Sequence, residues 1–376
     1  MIPGLDGLRG LAFLLVFLCH TDYFYFGWTG VLLFFVLSGY LITDILLKMK
    51  AKWNGRQFFI KFYGRRFLRI FPLYYVYLVA MLGIAALLFS IGYRQNYMNE
   101  FFRQSPYAFV YLYNFFYASA SFTYHRFLDH FWSLSVEEQF YIFWPLLIFL
   151  APEKWLKKLF LGVIILAPLL RIATVLVLRA EIFPFFTSNI PLGLYPLPWT
   201  HMDAFAMGAY ISRFELPRPK LQLALLLGLV PLAGFASQYL ATGSFGALTN
   251  LGYEYPIANS FKHIWGYSLL NYLFAVLIYC VVKEQLFVRW LEWPPLAYLG
   301  RISYGMYVYH FSLTWFAGRI RDLVPMTEEL AKPLSALIAF LLTLLIASAS
   351  YRFIEKPILD LKDRYFPLKA QPGTVI

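Results

Sequence analysis

The sequence predicts an all-α membrane protein: a bundle of about ten transmembrane helices with an additional re-entrant or buried segment on the outer side. Of the 376 residues, 60% are hydrophobic and only 14% are charged, whereas soluble domains are about a quarter charged. The apolar residues form runs long enough to cross a bilayer. Aromatic residues make up 21% of the chain, and many Tyr and Trp residues stand at the ends of these runs, where interfacial belts are expected.

Ten apolar runs are assigned as membrane spans. They cover residues 8–26, 28–47, 73–93, 133–150, 159–178, 200–213, 221–240, 265–282, 296–316 and 333–351. The run 106–122 is an eleventh candidate. The segment between the second and third spans is rich in lysine and arginine, which places it in the cytoplasm by the positive-inside rule.

The later basic clusters decide the status of the eleventh run. With ten spans, the clusters that follow the fourth, sixth, eighth and tenth spans all lie on the cytoplasmic side, and a span at 106–122 would reverse them. We therefore expect 106–122 to be re-entrant or buried, which is allowed where protein surrounds the backbone. Both termini are then cytoplasmic. Residues 1–360 form the predicted membrane domain, and residues 361–376 a short cytoplasmic tail.

Composition also argues against several classes of function. The formal net charge is +12, but the basic residues cluster between apolar runs, which favours topology and contacts with anionic lipid or cofactor over nucleic acid. Cys19 and Cys280 lie inside apolar runs, so we expect neither a disulfide framework nor a cysteine metal site. The histidines are too scattered for a recognisable metal site, and no P-loop, Rossmann or G-x-S-x-G pattern occurs.

The first span carries two ionisable residues, Arg9 and His20. Eleven helical steps come to about 1100°, so the two side chains fall within roughly 20° of each other and about 16 Å apart along the axis. Intramembrane ionisable groups are costly and normally face a bundle interior or an aqueous path, so this stripe is a candidate site. The structural alternatives are an Arg9 anchor paired with Asp6 and a buried His20 that is hydrogen-bonded to a carbonyl.

The second and third spans add a small polar patch and a basic cluster. Ser38 and Gly39 stand in the middle of the second span, and indicate either close helix packing or a surface along which a polar chain lies. Arg66 and Arg69 are three residues apart and precede Pro72. Arginine forks recognise phosphates, but a basic run at this position is also typical of a topology determinant or lipid contact.

The fourth span begins with two adjacent acids. Ser135 and Glu138 match a capping box, which predicts a structural role for Glu138 at the start of the helix. Glu137 has no such role, and we favour it for chemistry or for orienting His20. The alternative is an exposed glutamate that complements the helix dipole.

Three further spans contain isolated polar residues. Arg171 lies in the middle of the fifth span and must find a partner; Asp203, beside His201 at the outer start of the sixth span, is the candidate. His310 lies within the ninth span, where a lone histidine is more often part of the core.

Together these segments resemble acyltransferase family 3, the integral-membrane O-acyltransferases that modify surface polysaccharides, peptidoglycan, lipids and some secondary metabolites. The resemblance covers nearly the whole chain. The matching elements are Arg-x10-His at Arg9 and His20; FFxxSGxL at Phe34, Phe35, Ser38, Gly39 and Leu41; RRxxRIxPxY at Arg65, Arg66, Arg69, Ile70, Pro72 and Tyr74; WSLxVExQFY at Trp132 to Tyr141; SYxxYxxH at Ser303 to His310; and RFIEKP at Arg352 to Pro357. The chain departs from the family at His201, where an arginine is usual.

The resemblance implies that acetyl-CoA, or another short acyl-CoA, donates from the cytosol to a hydroxyl beyond the bacterial inner membrane. The acceptors implied are a glycan such as lipopolysaccharide O-antigen or exopolysaccharide, a glycolipid, or a small hydroxylated molecule. In this interpretation, His20 is the general base, Arg9 stabilises the thioester or its oxyanion, and Glu137 orients the histidine. The donor would bind at Arg65, Arg66, Arg69, Ser38, Gly39 and Tyr74, in a corridor that leads to His20; the acceptor-side candidates are Asp203, His201, Arg171 and His310.

Three other interpretations stay open. A covalent acyl-His20 intermediate is an alternative to general-base catalysis. A non-catalytic carrier of a polar or acylated lipid would also use charged intramembrane residues, although it has no need of a phosphate-binding arginine cluster. A structural partner of a polysaccharide export complex is a third, weaker possibility.

Overall fold

Helices account for nearly all regular structure in the computed structural model, which describes residues 2–254, 261–322 and 327–367. Within these ranges the only β-structure is one isolated antiparallel bridge between Ser119 and Phe186, so the all-α prediction is confirmed. The helices are α1 (Leu5–His20), α2 (Gly30–Lys50), α3 (Gly55–Ser90), α4 (Gln95–Phe109), α5 (Tyr113–Tyr117), α6 (Phe131–Leu150), α7 (Leu156–Arg179), α8 (Ile190–Leu194), α9 (Met202–Arg213), α10 (Pro219–Thr242), α11 (Lys262–Val282), α12 (Val288–Leu291), α13 (Pro294–Arg301), α14 (Ser303–Arg321), α15 (Glu328–Ser350) and α16 (Lys356–Tyr365).

Six helical segments in the described part of the chain are long and apolar enough to cross a membrane. They are Tyr25–Lys50, Gly55–Ser90, Glu153–Arg179, Pro219–Thr242, Lys262–Val282 and Glu329–Tyr365. Helices also occupy the other four predicted positions, but α1 has 16 residues and α9 only 12, and a 12-residue helix is about 18 Å long against a hydrocarbon core of about 30 Å. The membrane character is therefore supported, and the count of ten spans stays a prediction.

Two predicted spans run across breaks in the helices. The run 8–26 is helical only as far as His20; Asp22 then takes a left-handed conformation (φ 61°), and a 3₁₀ helix follows at Tyr25–Thr29. The run 296–316 is interrupted between α13 and α14 at Ile302. Both errors have one cause: apolar composition continues across a turn, so a hydropathy pattern cannot locate the turn.

The third predicted span, 73–93, is only the apolar half of a longer helix. Asn54 caps α3, accepting a hydrogen bond from the backbone N–H of Gln57 at 3.0 Å. The helix then runs for 36 residues, or about 54 Å, which exceeds the thickness of the hydrocarbon core. The first half of α3, which carries the arginine cluster, therefore extends beyond the hydrocarbon core on the predicted cytoplasmic side.

The segment 106–122 is not a single helix. It contains the end of α4, a left-handed residue at Tyr111 (φ 54°) and the five-residue α5. The prediction that this run does not form a spanning helix is confirmed. Part of the segment is enclosed by protein, since Asn114 and Ala118 are both fully buried, whereas Val110 and Leu112 are exposed.

Helices α2 and α9 pack with their backbones in close contact at two glycines. A Cβ atom on Gly39 would lie 2.1 Å from the carbonyl oxygen of Phe205, and one on Gly208 would lie 2.1 Å from that of Val36. For Gly39 the geometry therefore shows the packing role.

We expect Gly39→Ala to lower the free energy of unfolding by about 1–3 kcal/mol, because the added methyl group overpacks a rigid backbone contact. Gly83→Ala in α3 is the matched control, since a Cβ there has nothing within 4 Å and alanine is the better helix former. Thermal or denaturant unfolding in detergent measures both. Equal stability of the two variants would contradict the close contact.

Candidate active site

Two neighbouring cavities in the described part of the bundle contain several of the predicted site residues. The first, here called the inner cavity, has a volume of about 180 Å³, and its ionisable lining residues include Arg9, Arg66, Arg69, Glu137 and Glu138. The second, the outer cavity, has a volume of about 530 Å³, and its lining includes His20, Arg126, Asp129 and His130. Arg9 and His20, although on one stripe of α1, thus belong to different cavities, about 16 Å apart along the helix.

The inner cavity is assembled from segments far apart in sequence. Its side chains come from α1, α2, α3, α6 and the start of α14, where Ser303, Tyr304 and Tyr307 contribute. Ser38 also lines it. These residues belong to five of the six sequence elements noted above, so elements separated by up to about 300 positions converge on one space.

The arginines of the inner cavity differ in how they are paired. Arg9 forms an ion pair with Asp6 at 2.8 Å, which confirms the predicted pair. Arg66 places its guanidinium carbon 5.1 Å from the ring centroid of Tyr141. Among residues 2–254, 261–322 and 327–367, no carboxylate oxygen lies within 4 Å of Arg66 or Arg69. Both guanidinium groups are therefore available to an anion that enters the cavity.

The two acids of α6 are placed differently from the prediction. The helix begins at Phe131, so Ser135 lies in its second turn, where its hydroxyl donates to the carbonyl of Phe131 at 3.0 Å. The predicted capping box is therefore wrong, and Glu138 lines the inner cavity with only 8% of its surface exposed. Glu137 accepts short hydrogen bonds from the hydroxyls of Ser38 and Tyr141.

The expected contact between Glu137 and His20 does not occur. The reason is depth: Glu137 is six residues into α6, about 9 Å along the axis, whereas His20 is the last residue of α1. Glu137 lines the inner cavity and His20 the outer one.

Three of the predicted donor residues do not line the inner cavity. Arg65 pairs with Asp363 of α16 at 2.8 Å. The hydroxyl of the buried Tyr74 donates to the carbonyl of Ala108 at 2.7 Å. Gly39 faces α9, as described above. The three arginines of this part of α3 therefore make different contacts. Arg66 and Arg69 face the cavity, and Arg65 binds the neighbouring helix α16.

His20 is paired with a second histidine. Its Nδ1 atom lies 2.7 Å from Nε2 of His310, and Nδ1 of His310 lies 2.7 Å from the carbonyl oxygen of Tyr307. Because a carbonyl only accepts, Nδ1 of His310 carries a proton, and its Nε2 is the acceptor in the neutral ring. His20 therefore donates from Nδ1, which leaves its Nε2 unprotonated and suited to accept a proton.

The outer cavity also contains groups that sequence reasoning missed. Arg126 donates to the carbonyl of His20 at 3.4 Å and to Thr314 at 3.3 Å. His130 donates from Nε2 to the carbonyl of Val308 at 3.0 Å, and its buried Nδ1 atom has no hydrogen-bond partner. His130 could have been found from its position, because it stands two residues before the element that begins at Trp132. Arg126 could not, because it lies in an irregular segment with no periodic pattern.

A buried polar network supports the outer cavity from the side of α4 and α5. The hydroxyl of Tyr113 lies 2.7 Å from Oε1 of Gln104 and 2.8 Å from Oδ1 of Asp129, and the backbone N–H of His125 donates to Asp129 at 2.8 Å. Burial raises the pKa of Asp129 well above its usual value, and these hydrogen bonds only partly offset that cost. Burial also lowers the pKa of His125 to about 4.

The two cavities are arranged in series and do not form a single open corridor. Val31 and Tyr307 line both of them, and the Tyr307 hydroxyl is held 2.5 Å from that of Ser133 and 3.1 Å from the carbonyl of His130. The predicted passage from the arginines to His20 is therefore closed between the two cavities, where the side chain of Tyr307 lies.

Of the predicted acceptor-side residues, only His310 contacts His20. Arg171 and Asp203 form a fully buried ion pair at 2.5 Å, which confirms the predicted partner of Arg171. His201 is also buried, and its Nε2 lies 2.6 Å from the carbonyl of Tyr195. None of these three lines either of the two cavities.

The fold and cavities define a helical membrane protein whose interior holds an arginine-rich cavity next to a histidine-containing one. No group of three or more His, Cys, Asp or Glu side chains within the described ranges is arranged to hold a metal ion. The family model described as "Acyltransferase domain" matches residues 2–352. The chain therefore belongs to acyltransferase family 3.

Several relatives are named as O-acetyltransferases. The chain is 26% identical over 373 residues to O-acetyltransferase OatA of Staphylococcus aureus, covering 95% of this chain and 57% of the relative. It is 29% identical over 377 residues to the putative peptidoglycan O-acetyltransferase YrhL of Bacillus subtilis (95% and 55%). It is 28% identical over 377 residues to peptidoglycan O-acetyltransferase OatA of Listeria monocytogenes (95% and 56%).

The chain spans a little over half the length of these relatives. No solved structure matches it.

Proposed function

We propose that the protein is a membrane O-acyltransferase that moves an acetyl or other short acyl group from cytosolic acyl-CoA to a hydroxyl of an extracytoplasmic glycan. Family membership supports acyl transfer, and the names of the relatives favour a peptidoglycan-type acceptor over lipopolysaccharide. The observation that carries the proposal is the pairing of two cavities: one offers unpaired arginines to a phosphate, and the next offers a histidine base. The proposal includes a location in the bacterial inner membrane with both termini cytoplasmic, which the distribution of basic residues between the apolar runs supports.

The inner cavity suits the donor. Arg66 and Arg69 lie in the basic half of α3, on the predicted cytoplasmic side, where CoA phosphates arrive. Arginine binds phosphate by paired hydrogen bonds. Arg9, although paired with Asp6, adds a third guanidinium group deeper along α1, and Ser38 lies where the pantetheine arm passes.

The outer cavity suits a glycan acceptor. Its walls combine aromatic rings with a few polar groups, a composition typical of small-molecule sites. The aromatic residues are Tyr25, Trp28, Tyr117, Tyr124, Trp132, Tyr195, Tyr307 and Phe311, and the polar ones include Asp22, Asn250 and Glu254.

The chemistry takes place where the two cavities meet. The acceptor oxygen attacks the thioester carbonyl while Nε2 of His20 removes its proton; the carbon–sulfur bond then breaks, and the proton passes to the leaving thiolate. His310 holds the His20 ring in the required tautomer. Arg126, the arginine of the same cavity, stabilises the developing oxyanion. This role was predicted for Arg9, which lines the inner cavity and not the one that contains His20. The side chain of Tyr307 must move to let the acyl group pass.

We expect the purified protein to transfer radiolabel from acetyl-CoA to peptidoglycan fragments, with identification of the labelled product as the test. The double variant Arg66→Gln/Arg69→Gln should raise the KM for acetyl-CoA by about 10- to 100-fold, because it removes charge-assisted bonds to phosphate. Arg56→Gln is the control, since Arg56 is an exposed cation on the same helix. An unchanged KM in the double variant would remove the donor assignment.

A further inference from the structure

Helix α16 packs along the basic half of α3. Arg65 forms an ion pair with Asp363 at 2.8 Å and donates to the carbonyl of Phe366 at 2.7 Å. Lys61 donates to the carbonyl of Pro367 at 3.0 Å. The end of α16 is therefore attached to α3 at two successive turns.

The two helices run antiparallel. The ring of Phe366 lies against Gly64, where a Cβ atom would be 2.4 Å from it. At the other end, the π-helical turn Tyr351–Glu355 leads into α16, and Glu355 is close enough to Arg69 for their charges to interact. Because Glu355 faces Arg69 and Phe366 faces Gly64, the residues between them pass along the arginine cluster.

Lys362 of α16 lies beside the arginine cluster of α3, which consists of Arg65, Arg66 and Arg69. Lys362 lies one helical turn before Phe366, which packs on Gly64, and directly before Asp363, which binds Arg65 at 2.8 Å, so it lies on the side of α16 that faces the arginines of α3. Asp363 is already paired with Arg65, and no carboxylate oxygen in the described ranges lies within 4 Å of Lys362. Within the described ranges, three of these cations, Arg66, Arg69 and Lys362, thus have no carboxylate oxygen within 4 Å, an arrangement that a phosphate would stabilise.

We propose that α16 forms one wall of a phosphate site, in which Lys362, together with the arginines of α3, binds the phosphate of the donor farthest from the thioester. This rests on the proposed function, since it assumes an acyl-CoA donor in the inner cavity. Lys362 does not line that cavity. It lies beside the part of α3 that precedes Arg69, towards the helix start, and so it meets the nucleotide end of the donor. In CoA that end carries the 3′-phosphate, which dephospho-CoA lacks.

The experiment compares two donors and three variants. The full chain is placed in nanodiscs of neutral phosphatidylcholine, and the affinity for acetyl-CoA and for acetyl-dephospho-CoA is measured by calorimetry. We expect the unmodified protein to bind acetyl-CoA about tenfold more tightly. Lys362→Gln should weaken acetyl-CoA binding by about 3- to 10-fold, as expected for a partly exposed charge–phosphate contact, and leave acetyl-dephospho-CoA binding unchanged.

Two variants serve as controls. Arg364→Gln removes one charge from an exposed position of the same helix and should change neither affinity. Lys362→Arg keeps the charge and should keep most of the preference for acetyl-CoA. Thermal unfolding of each variant confirms that α16 is intact.

The outcomes separate this inference from the proposed function. If the unmodified protein binds neither donor, the acyl-CoA proposal fails and the inference falls with it. If it binds both donors and Lys362→Gln leaves their ratio unchanged, the donor proposal stands and the role of Lys362 is overturned. Thermal unfolding is also measured in nanodiscs that contain phosphatidylglycerol. If that lipid stabilises the unmodified protein and Lys362→Gln removes the stabilisation while both donor affinities stay unchanged, the phosphate belongs to a lipid headgroup, and the inference is also overturned.

Discussion

We expect His20→Ala to reduce acyl transfer by about 10²- to 10⁴-fold, the contribution typical of a positioned general base. Binding of acetyl-CoA should change little, because His20 lines the outer cavity and the arginines line the inner one. Initial rates of transfer and equilibrium donor binding, measured on the same preparation, test both parts. A folded His20→Ala protein with full transfer would refute the mechanism.

Two neighbours of His20 sharpen this test. Cys19→Ala changes the adjacent residue in the same cavity and should leave transfer nearly unchanged. His310→Ala removes the acceptor of the His20 Nδ1 proton, so the tautomer of His20 is no longer fixed. We expect it to reduce acyl transfer by less than His20→Ala does. Radiolabel that survives denaturation of the protein when the acceptor is omitted, and that is lost in His20→Ala but kept in Cys19→Ala, would identify a covalent acyl-His20 intermediate.

The second large effect concerns stability. Asp203→Ala should lower the free energy of unfolding by about 3–5 kcal/mol, because it leaves the guanidinium of Arg171 buried without a counter-charge. Both side chains have no exposed surface. Their remaining bonds reach Thr200, Ser268 and Asn271, so that the network joins α7, α9 and α11.

An exposed ion pair between Arg213, at the end of α9, and Glu153, just before α7, is the control for that experiment. Glu153 and Arg213 lie 2.8 Å apart, with side chains 76% and 49% exposed. Glu153→Ala should change stability by at most about 1 kcal/mol. The double variant Arg171→Leu/Asp203→Leu should be less destabilised than Asp203→Ala, since it removes the unpaired charge. Denaturant unfolding in detergent measures all three. A double variant as unstable as Asp203→Ala would show that packing, and not charge, accounts for the loss.

Much of the candidate site could be predicted because a membrane makes polar residues conspicuous. Arg9, His20 and Glu137 interrupt apolar runs, Arg66 and Arg69 form a basic cluster shortly before one, and all five line a cavity. The pairing of Arg171 with Asp203 was predictable for the same reason, since a buried charge requires a partner. Arg126 gave no such signal, because it lies in an irregular segment outside the apolar runs.

Hydropathy and charge in the sequence were by themselves enough to determine a helical membrane protein, because lipid leaves the backbone few alternatives. They also showed that 106–122 is not a span. Only the tertiary structure decided which side chains meet. His20 contacts a histidine 290 positions away, Arg65 turns to α16 while Arg66 faces the cavity, and Tyr307 separates the arginines from His20. Helix rotation and packing set these neighbours, and linear spacing along a single helix carries no information about them.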